Sequence, residues 1–269
     1  MEKKVEENPD PILTNELIRQ YMLYRINYPQ DRDLNSRHLY RTAALRIRLD
    51  RPNEAAKSLI EALMYYPGTS NTVNNALLLA AIYQEELKDP ISSTTIYQLL
   101  QEVFPNEKGV QEKYQAISPP PPPLEDRMTD MRRAIFADSL GNFDLETAIY
   151  FIHSCELIAY LKPGDNNSAN WLNQAAETAR SLKRNSQALQ LYEWIYTKFP
   201  EYEKAAQALF LKGFILDEEL NQKEEAKAIY ELFIQRYPDD GFADDAQFLL
   251  DNLNSNEEEI INRFEEQQK

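Results

Sequence analysis

Few residues of this chain have the types and spacing that catalysis or metal binding requires. His153 and Cys155 are two positions apart in the apolar helical stretch YFIHSCELIAYL. Side chains two apart on a helix point in different directions, so this pair suits neither a metal ion nor a nucleophile with its base. We expect both to be buried. The other histidine, His38, has no partner of this kind, and the acids of DDGFADD lack the spacing and the distal glutamate of a calcium loop.

Known catalytic motifs are also missing from the sequence. We find no phosphate-binding loop, no nucleophile elbow and no HExxH pattern. The sequence therefore predicts no catalytic residue, no metal site and no cofactor. We expect a protein that is not an enzyme.

Composition favours a helical protein that does not bind nucleic acid. Only 6 of the 269 residues are Gly, which sheet turns and phosphate loops use heavily. The formal net charge of −15 leaves no basic surplus to neutralise phosphates. Most of the excess acid follows residue 117, where it would either aid solubility or attract a basic partner.

The sequence offers no evident membrane-spanning or targeting segment. No apolar run is long enough to cross a bilayer. The first residues, MEKKVEENPDP, lack the apolar stretch of a signal peptide. We therefore expect either a cytoplasmic protein or a chain that begins after a removed signal.

An aromatic residue followed by proline recurs along the chain. Each repeat has the apolar spacing of two successive helices, as in residues 205–219 and 224–237, and the aromatic–proline pair follows the second helix. Proline ends the second helix because it cannot donate a backbone N–H and disfavours helix in the residue before it. With Pro163, which follows a lysine, the prolines form two series with intervals of 37 or 38 residues: Pro29, Pro67 and Pro105, then Pro163, Pro200 and Pro238.

This pattern resembles the tetratricopeptide repeat, a helical hairpin with small residues where its two helices touch. Ala226 and Tyr230 fall where that family has a small residue and an aromatic in the second helix, as do Ala188 and Tyr192. Gly213 falls within one residue of the small position of the first helix. The resemblance implies an all-α fold, an α-solenoid of hairpins. The longer period resembles a divergent subset in Gram-negative envelope proteins, including outer-membrane assembly lipoproteins and partners of the Tol–Pal system.

We predict that the hairpins form two blocks. The run PPPPP would be a stiff spacer between them, or alternatively a ligand for an SH3- or WW-like domain. The expected division is a flexible N-terminus at 1–12, an N-terminal block at 13–117, a polyproline linker at 118–124, a C-terminal block at 125–253, and a capping helix or tail at 254–269.

In the tetratricopeptide family the first helices line a concave groove that binds peptides. Amide side chains there could hold a peptide backbone through donors and acceptors, or could be ordinary solvated positions. The lysine- and arginine-rich groove of chaperone-binding members is not apparent. The resemblance projects ten residues into the groove: Asn74, Leu77, Gln84, Asn170, Asn173, Glu177, Arg180, Gln207, Phe210 and Asp217.

The expected function is that of a non-catalytic scaffold whose partner is another protein or peptide. The resemblance favours a bacterial cell envelope, in the periplasm or at the outer membrane, with room for a lipid anchor on a removed N-terminus. Two alternatives stay open. One is an envelope module that binds a glycan, a peptidoglycan fragment or a peptide ligand, and the other is a cytoplasmic co-chaperone-like adaptor.

Overall fold

The computed structural model describes residues 2–7, 10–137 and 143–253, and this part of the chain is built of α-helices without any β-strand. The predicted all-α fold is confirmed. The predicted capping helix at 254–269 lies outside the described residues. In chain order the helices are α1 (Glu2–Glu7), α2 (Pro11–Asn27), α3 (Arg32–Arg48), α4 (Pro52–Tyr65), α5 (Thr72–Ala81), α6 (Pro90–Val103), α7 (Lys108–Gln115), α8 (Leu124–Ile135), α9 (Leu145–Leu161), α10 (Asn166–Ser181), α11 (Asn185–Lys198), α12 (Ala205–Phe214), α13 (Lys223–Arg236) and α14 (Ala243–Asn252).

Four pairs of helices form tight hairpins: α3–α4, α5–α6, α10–α11 and α12–α13. Three residues connect the two helices of each hairpin, when the π-helical turns that continue α5 and α12 are counted with those helices. One residue of each connection has a positive φ near 55°, the left-handed conformation that commonly ends a helix. None of the four is glycine, and they are Asp50, Lys88, Lys183 and Asn221.

Two of the first helices end in a π-helical turn. Ile82–Glu86 continues α5, and Ile215–Glu219 continues α12. A π turn bonds each residue to the fifth one along, so it holds more residues per turn than an α-helix.

The same arrangement occurs twice in the chain. α4 begins at Pro52 and α11 begins at Asn185, 133 positions later. The same offset of 133 relates α5 to α12 and α6 to α13 at both of their ends. It also relates the two π turns to each other, and Asp50 and Lys88 to Lys183 and Asn221. α2 and α9 also correspond, since each has 17 residues and an aspartate that caps its first turn.

The helices divide into two compact units, residues 1–163 and residues 164–269. The division therefore falls after Pro163 and differs from the predicted one at 118–124. The proline run instead connects α7 to α8 inside the first unit, because α8 packs on α9 and α9 packs on α6 and α4. The Gln98 side chain fixes the end of the run by donating a 2.7 Å hydrogen bond to the carbonyl of Pro122.

The predicted flexible N-terminus also differs from the structure. Residues 2–7 form the helix α1, which contacts α2. Val5 is 1% exposed and packs in a small cluster with Leu17, Tyr21 and Leu45.

Of the pair in α9, only Cys155 is buried as predicted. Cys155 is fully inaccessible, and burial raises the pKa of its thiol well above the ordinary value. His153 keeps 22% of its side chain exposed, and the edge-on ring of Tyr83 and the carboxylate of Glu156 flank it.

The helices of a hairpin pack closely because small residues lie where they cross. Ala80 in α5 and Gly213 in α12 are equivalent positions, 133 residues apart, and Ala43 and Ala176 are equivalent in α3 and α10. The three alanines are fully buried. At Gly213 even a methyl group would come within 2.8 Å of Tyr230 Cε1 and 2.9 Å of its Cδ1. The predicted repeat positions therefore form the hairpin core.

We expect Gly213→Ala to lower the free energy of unfolding by about 1–2 kcal/mol. Overpacking a rigid core costs about 1–3 kcal/mol, and alanine recovers up to about 1 kcal/mol through its higher helix propensity. The Tyr230 side chain is 0% exposed, so its ring can move aside only by displacing buried neighbours. Urea unfolding followed by circular dichroism would measure the difference.

Gly109→Ala in α7 is the matched control. A methyl group there meets only Leu77 Cδ1 at 3.7 Å, an ordinary contact distance. The same change should be neutral or stabilise by up to about 1 kcal/mol. Equal effects of the two substitutions would contradict the steric explanation.

Candidate interaction surface

One side of α10 and α12 is open to solvent in the second unit. We call it the α10–α12 face and define it by residues spaced i, i+4, i+7 and i+11, which share one side of a helix. All of them are exposed or half-buried, and their polar members are amides and carboxylates. They are Asn170, Gln174 and Glu177 on α10, and Gln207, Leu211, Phe214 and Glu218 on α12 and its π turn.

The ten predicted groove residues differ widely in exposure. Asn74, Gln84, Asn170 and Glu177 are exposed, and Leu77, Arg180 and Gln207 are half-buried. The structure brings Asn170, Glu177 and Gln207 together on the α10–α12 face. The remaining three residues are buried, so they do not lie on an open groove: Asn173, Phe210 and Asp217.

Phe210 belongs to the core between successive helices. Only 8% of it is exposed. Its ring stacks on Phe242 at a centroid distance of 4.8 Å and meets the edge of Phe233 at 5.8 Å. Its role is therefore to pack α12 against the following segment.

Asp217 is a buried structural acid, 3% exposed. Its Oδ1 forms an ion pair with Lys223, and its Oδ2 accepts a 3.3 Å hydrogen bond from the Tyr230 hydroxyl. Burial, followed by the charge of Asp217, raises the pKa of Tyr230 well above its ordinary value, so the phenol stays a donor. These contacts tie the π turn of α12 to α13.

Asn173 is likewise internal, 2% exposed. Its side-chain amide donates a 2.8 Å hydrogen bond to Glu177 Oε1, one turn further along α10. It therefore orients a carboxylate of the α10–α12 face and does not itself meet solvent.

Arg180 links α10 to the π turn of α12. Its Nε donates a 2.8 Å hydrogen bond to Glu219 Oε1, and its guanidinium lies 5.2 Å from the centroid of the Phe214 ring. Lys183 approaches the other carboxylate oxygen at 3.4 Å. Burial alone would raise the pKa of Glu219, but the Arg180 hydrogen bond and the two positive charges lower it below its usual value.

A second contact fixes the start of the same face. The Tyr202 hydroxyl donates a 3.3 Å hydrogen bond to Asn170 Oδ1 from the segment that joins α11 to α12. Together with the Arg180–Glu219 pair, this contact holds α10 and α12 at both ends. The accessible amides and carboxylates of the face are thus presented by two helices that these contacts join.

Sequence reasoning missed a basic stripe on α3, the first helix of the α3–α4 hairpin. Arg37, Arg41, Ala44 and Arg48 lie along one side of α3 at the same i, i+4, i+7, i+11 spacing. The i, i+4, i+7, i+11 spacing of the three arginines is the signal in the sequence that would have found them. The first unit therefore presents positive charge where the corresponding side of α10 presents amides and a carboxylate.

The described residues give no sign of a metal centre or a membrane span. Across 2–7, 10–137 and 143–253, no three His, Cys, Asp or Glu residues are grouped so that they could hold a metal ion. Within the same ranges, no helix combines the length and apolar character needed to cross a bilayer.

Comparison with known proteins identifies one hairpin directly. Residues 207–240 match the family model for the tetratricopeptide repeat. The matched segment runs from α12 through its π turn and α13 to just beyond Pro238, and includes Gly213, Ala226 and Tyr230. No curated protein matches the chain.

We expect Glu219→Gln to destabilise the protein by about 1 kcal/mol at pH 7, because it removes a charge-assisted hydrogen bond from a largely buried site. The pKa of Glu219 is lower in the folded than in the unfolded state, so its ionised form stabilises the fold above the unfolded value of about 4.3. That contribution is lost as the pH falls through the folded pKa. The difference between variant and wild type should therefore shrink below about pH 4.

Urea unfolding between pH 3 and pH 7 would test this dependence. The matched control is Glu218→Gln, the exposed neighbour, which should stay within about 0.5 kcal/mol of wild type at every pH. A Glu219→Gln effect that did not vary with pH would show that the ion pair does not contribute as described.

Proposed function

We propose that this chain, which contains a tetratricopeptide repeat within an all-α fold of helical hairpins, is a non-catalytic scaffold that binds another protein through the α10–α12 face. Tetratricopeptide repeats are protein-interaction modules, and the match at 207–240 includes α12. The observation that carries the proposal is the fixed pair of first helices, held by Arg180 and Glu219, with exposed amides along one side.

The chemistry of the face indicates the kind of partner that fits. Asn170 and Gln207 can donate and accept hydrogen bonds, which suits the backbone of a bound segment. Leu211 and Phe214, which follow Gln207 along α12, are half-buried and offer apolar contact. Residues 164–253 carry 16 acidic and 9 basic residues, so the field around the face favours a partner of positive charge.

We place this scaffold in a bacterial cell envelope, in the periplasm or attached to the outer membrane. The support is the long repeat period with its aromatic–proline endings, which resembles the envelope subset of the family. Expression of the gene in its native host with a C-terminal epitope tag, followed by fractionation and immunoblotting, should recover the protein with the envelope. Recovery in the cytoplasm alone would favour the co-chaperone-like adaptor.

In-cell crosslinking with the full chain should capture a dominant protein partner. The double variant Asn170→Arg/Gln207→Arg should reduce its recovery by about tenfold or more, because each arginine adds bulk and an unpaired charge to the contact surface. Quantitative mass spectrometry of the crosslinked complexes would measure the loss.

The matched control places the same charges on α11 and α13, the second helices of the two hairpins. Gln190→Arg/Gln235→Arg lies on exposed positions of α11 and α13 and should leave recovery unchanged. An unaffected partner in the first variant would assign binding to another surface. Absence of any protein partner would overturn the scaffold proposal and favour a glycan or peptide ligand.

A further inference from the structure

A cavity lies beside α2 and α1, in the place that corresponds to that of α8 beside α9. In the hairpin α8–α9, the 12-residue α8 packs on α9 and buries Leu124, Met128 and Ile135. α2 corresponds to α9, and the helix that precedes α2 is α1. Beside α2, the place that α8 takes beside α9 holds α1 and an open cavity.

The unfilled part of this place is a cavity of about 110 Å³ between α1, α2 and α3. Its apolar wall includes Leu17 and Leu45, and its polar wall includes Tyr21, Arg41 and Arg48. Arg48 is exposed and forms no ion pair with the described residues. We call this place, bounded by these five residues, the α2–α3 slot.

α1 is held in the slot by two side chains spaced three residues apart. The Glu2 carboxylate accepts hydrogen bonds from the Tyr21 hydroxyl and the Arg41 guanidinium. Val5 is buried against Leu17 and Tyr21. An acidic residue followed by an aliphatic one at i+3 is thus the pattern that the slot already accepts.

On the α2 and α3 side of the slot, aromatic contacts that do not involve α1 hold the side chains in place. The Tyr21 ring stacks on His38 at a centroid distance of 4.5 Å, and Tyr24 meets the same imidazole edge-on at 5.0 Å. Arg41 belongs to the basic stripe of α3. By contrast, the ion pair that holds α1, between Glu2 and Arg41, is nearly half exposed on both sides.

We propose that the α2–α3 slot is a docking site for an amphipathic helix of a partner protein that carries an acidic residue and an aliphatic residue three positions later, with α1 as its intramolecular occupant. Charge complementarity favours this occupant, since Arg41 and Arg48 line the slot along α3. The inference rests on the proposed scaffold function but concerns a surface separate from the α10–α12 face.

The test uses the full chain and a fluorescein-labelled peptide with the α1 sequence written twice, EKKVEEEKKVEE, which matches the length of α8. The variant Glu2→Gln/Val5→Ser removes both anchors of α1 and should bind the peptide about tenfold more tightly than wild type. The gain arises because the apparent affinity is reduced by the fraction of molecules with an open slot. Fluorescence anisotropy would give both dissociation constants.

Further variants in that opened background locate the binding. Arg41→Gln/Arg48→Gln should weaken binding by about tenfold or more, and Tyr21→Phe, which keeps the ring, should weaken it less. Arg37→Gln is the matched control for the single variant Arg48→Gln, because each removes one positive charge from α3 and only Arg48 belongs to the cavity lining. A peptide with its anchoring glutamates and valines replaced by glutamine and serine should not bind.

The outcomes of these experiments distinguish the docking site from the scaffold function proposed for the α10–α12 face. No binding to the opened variant, or binding that Arg41→Gln/Arg48→Gln leaves unchanged, would overturn the docking site and make α1 a purely structural helix. Neither result would alter the crosslinking test of Asn170→Arg/Gln207→Arg. Circular dichroism of each variant would confirm that the fold is retained before binding is compared.

Discussion

The close approach of two helices within each hairpin is the constraint on which the rest of the structure depends. Helix backbones can approach so closely only where no side chain larger than a methyl group separates them. Gly213 meets this requirement under Tyr230, and Ala43, Ala80 and Ala176 meet it in the other first helices. Once the helices of a pair are fixed, one side of each first helix is left to face solvent, and that side is where a partner can bind.

This constraint could be predicted from the sequence, because the close approach of the helices depends on the spacing of residues within one repeat. Ala188 and Ala226 lie 12 residues before Pro200 and Pro238, and Tyr192 and Tyr230 lie 8 residues before the same prolines. All four are fully buried. Each of these residues lies in a second helix of regular α geometry, so a fixed count keeps its register.

The same counting failed where the helix geometry changes or where tertiary contacts decide. Asp217 lies in a π turn, and the extra residue of that turn rotates every later side chain relative to a regular helix. Phe210 was assigned to an open surface, yet Phe242 covers it, and no local pattern reveals that contact. The proline run was assigned to a linker between blocks, because nothing in its own sequence shows the bond from Gln98.

The contacts of α9 determine when the first unit can be completed. Most helices contact their neighbours in sequence, so each hairpin can close soon after it is synthesised. α9 is different, because it packs on α6 and α4, with Ser154 near Thr95 and Lys162 paired with Glu102 across about sixty residues. Until Lys162 has left the ribosome, the side of α6 that α9 will cover stays bare. Nascent chains that pause in the proline run would therefore be the ones that most need protection from aggregation.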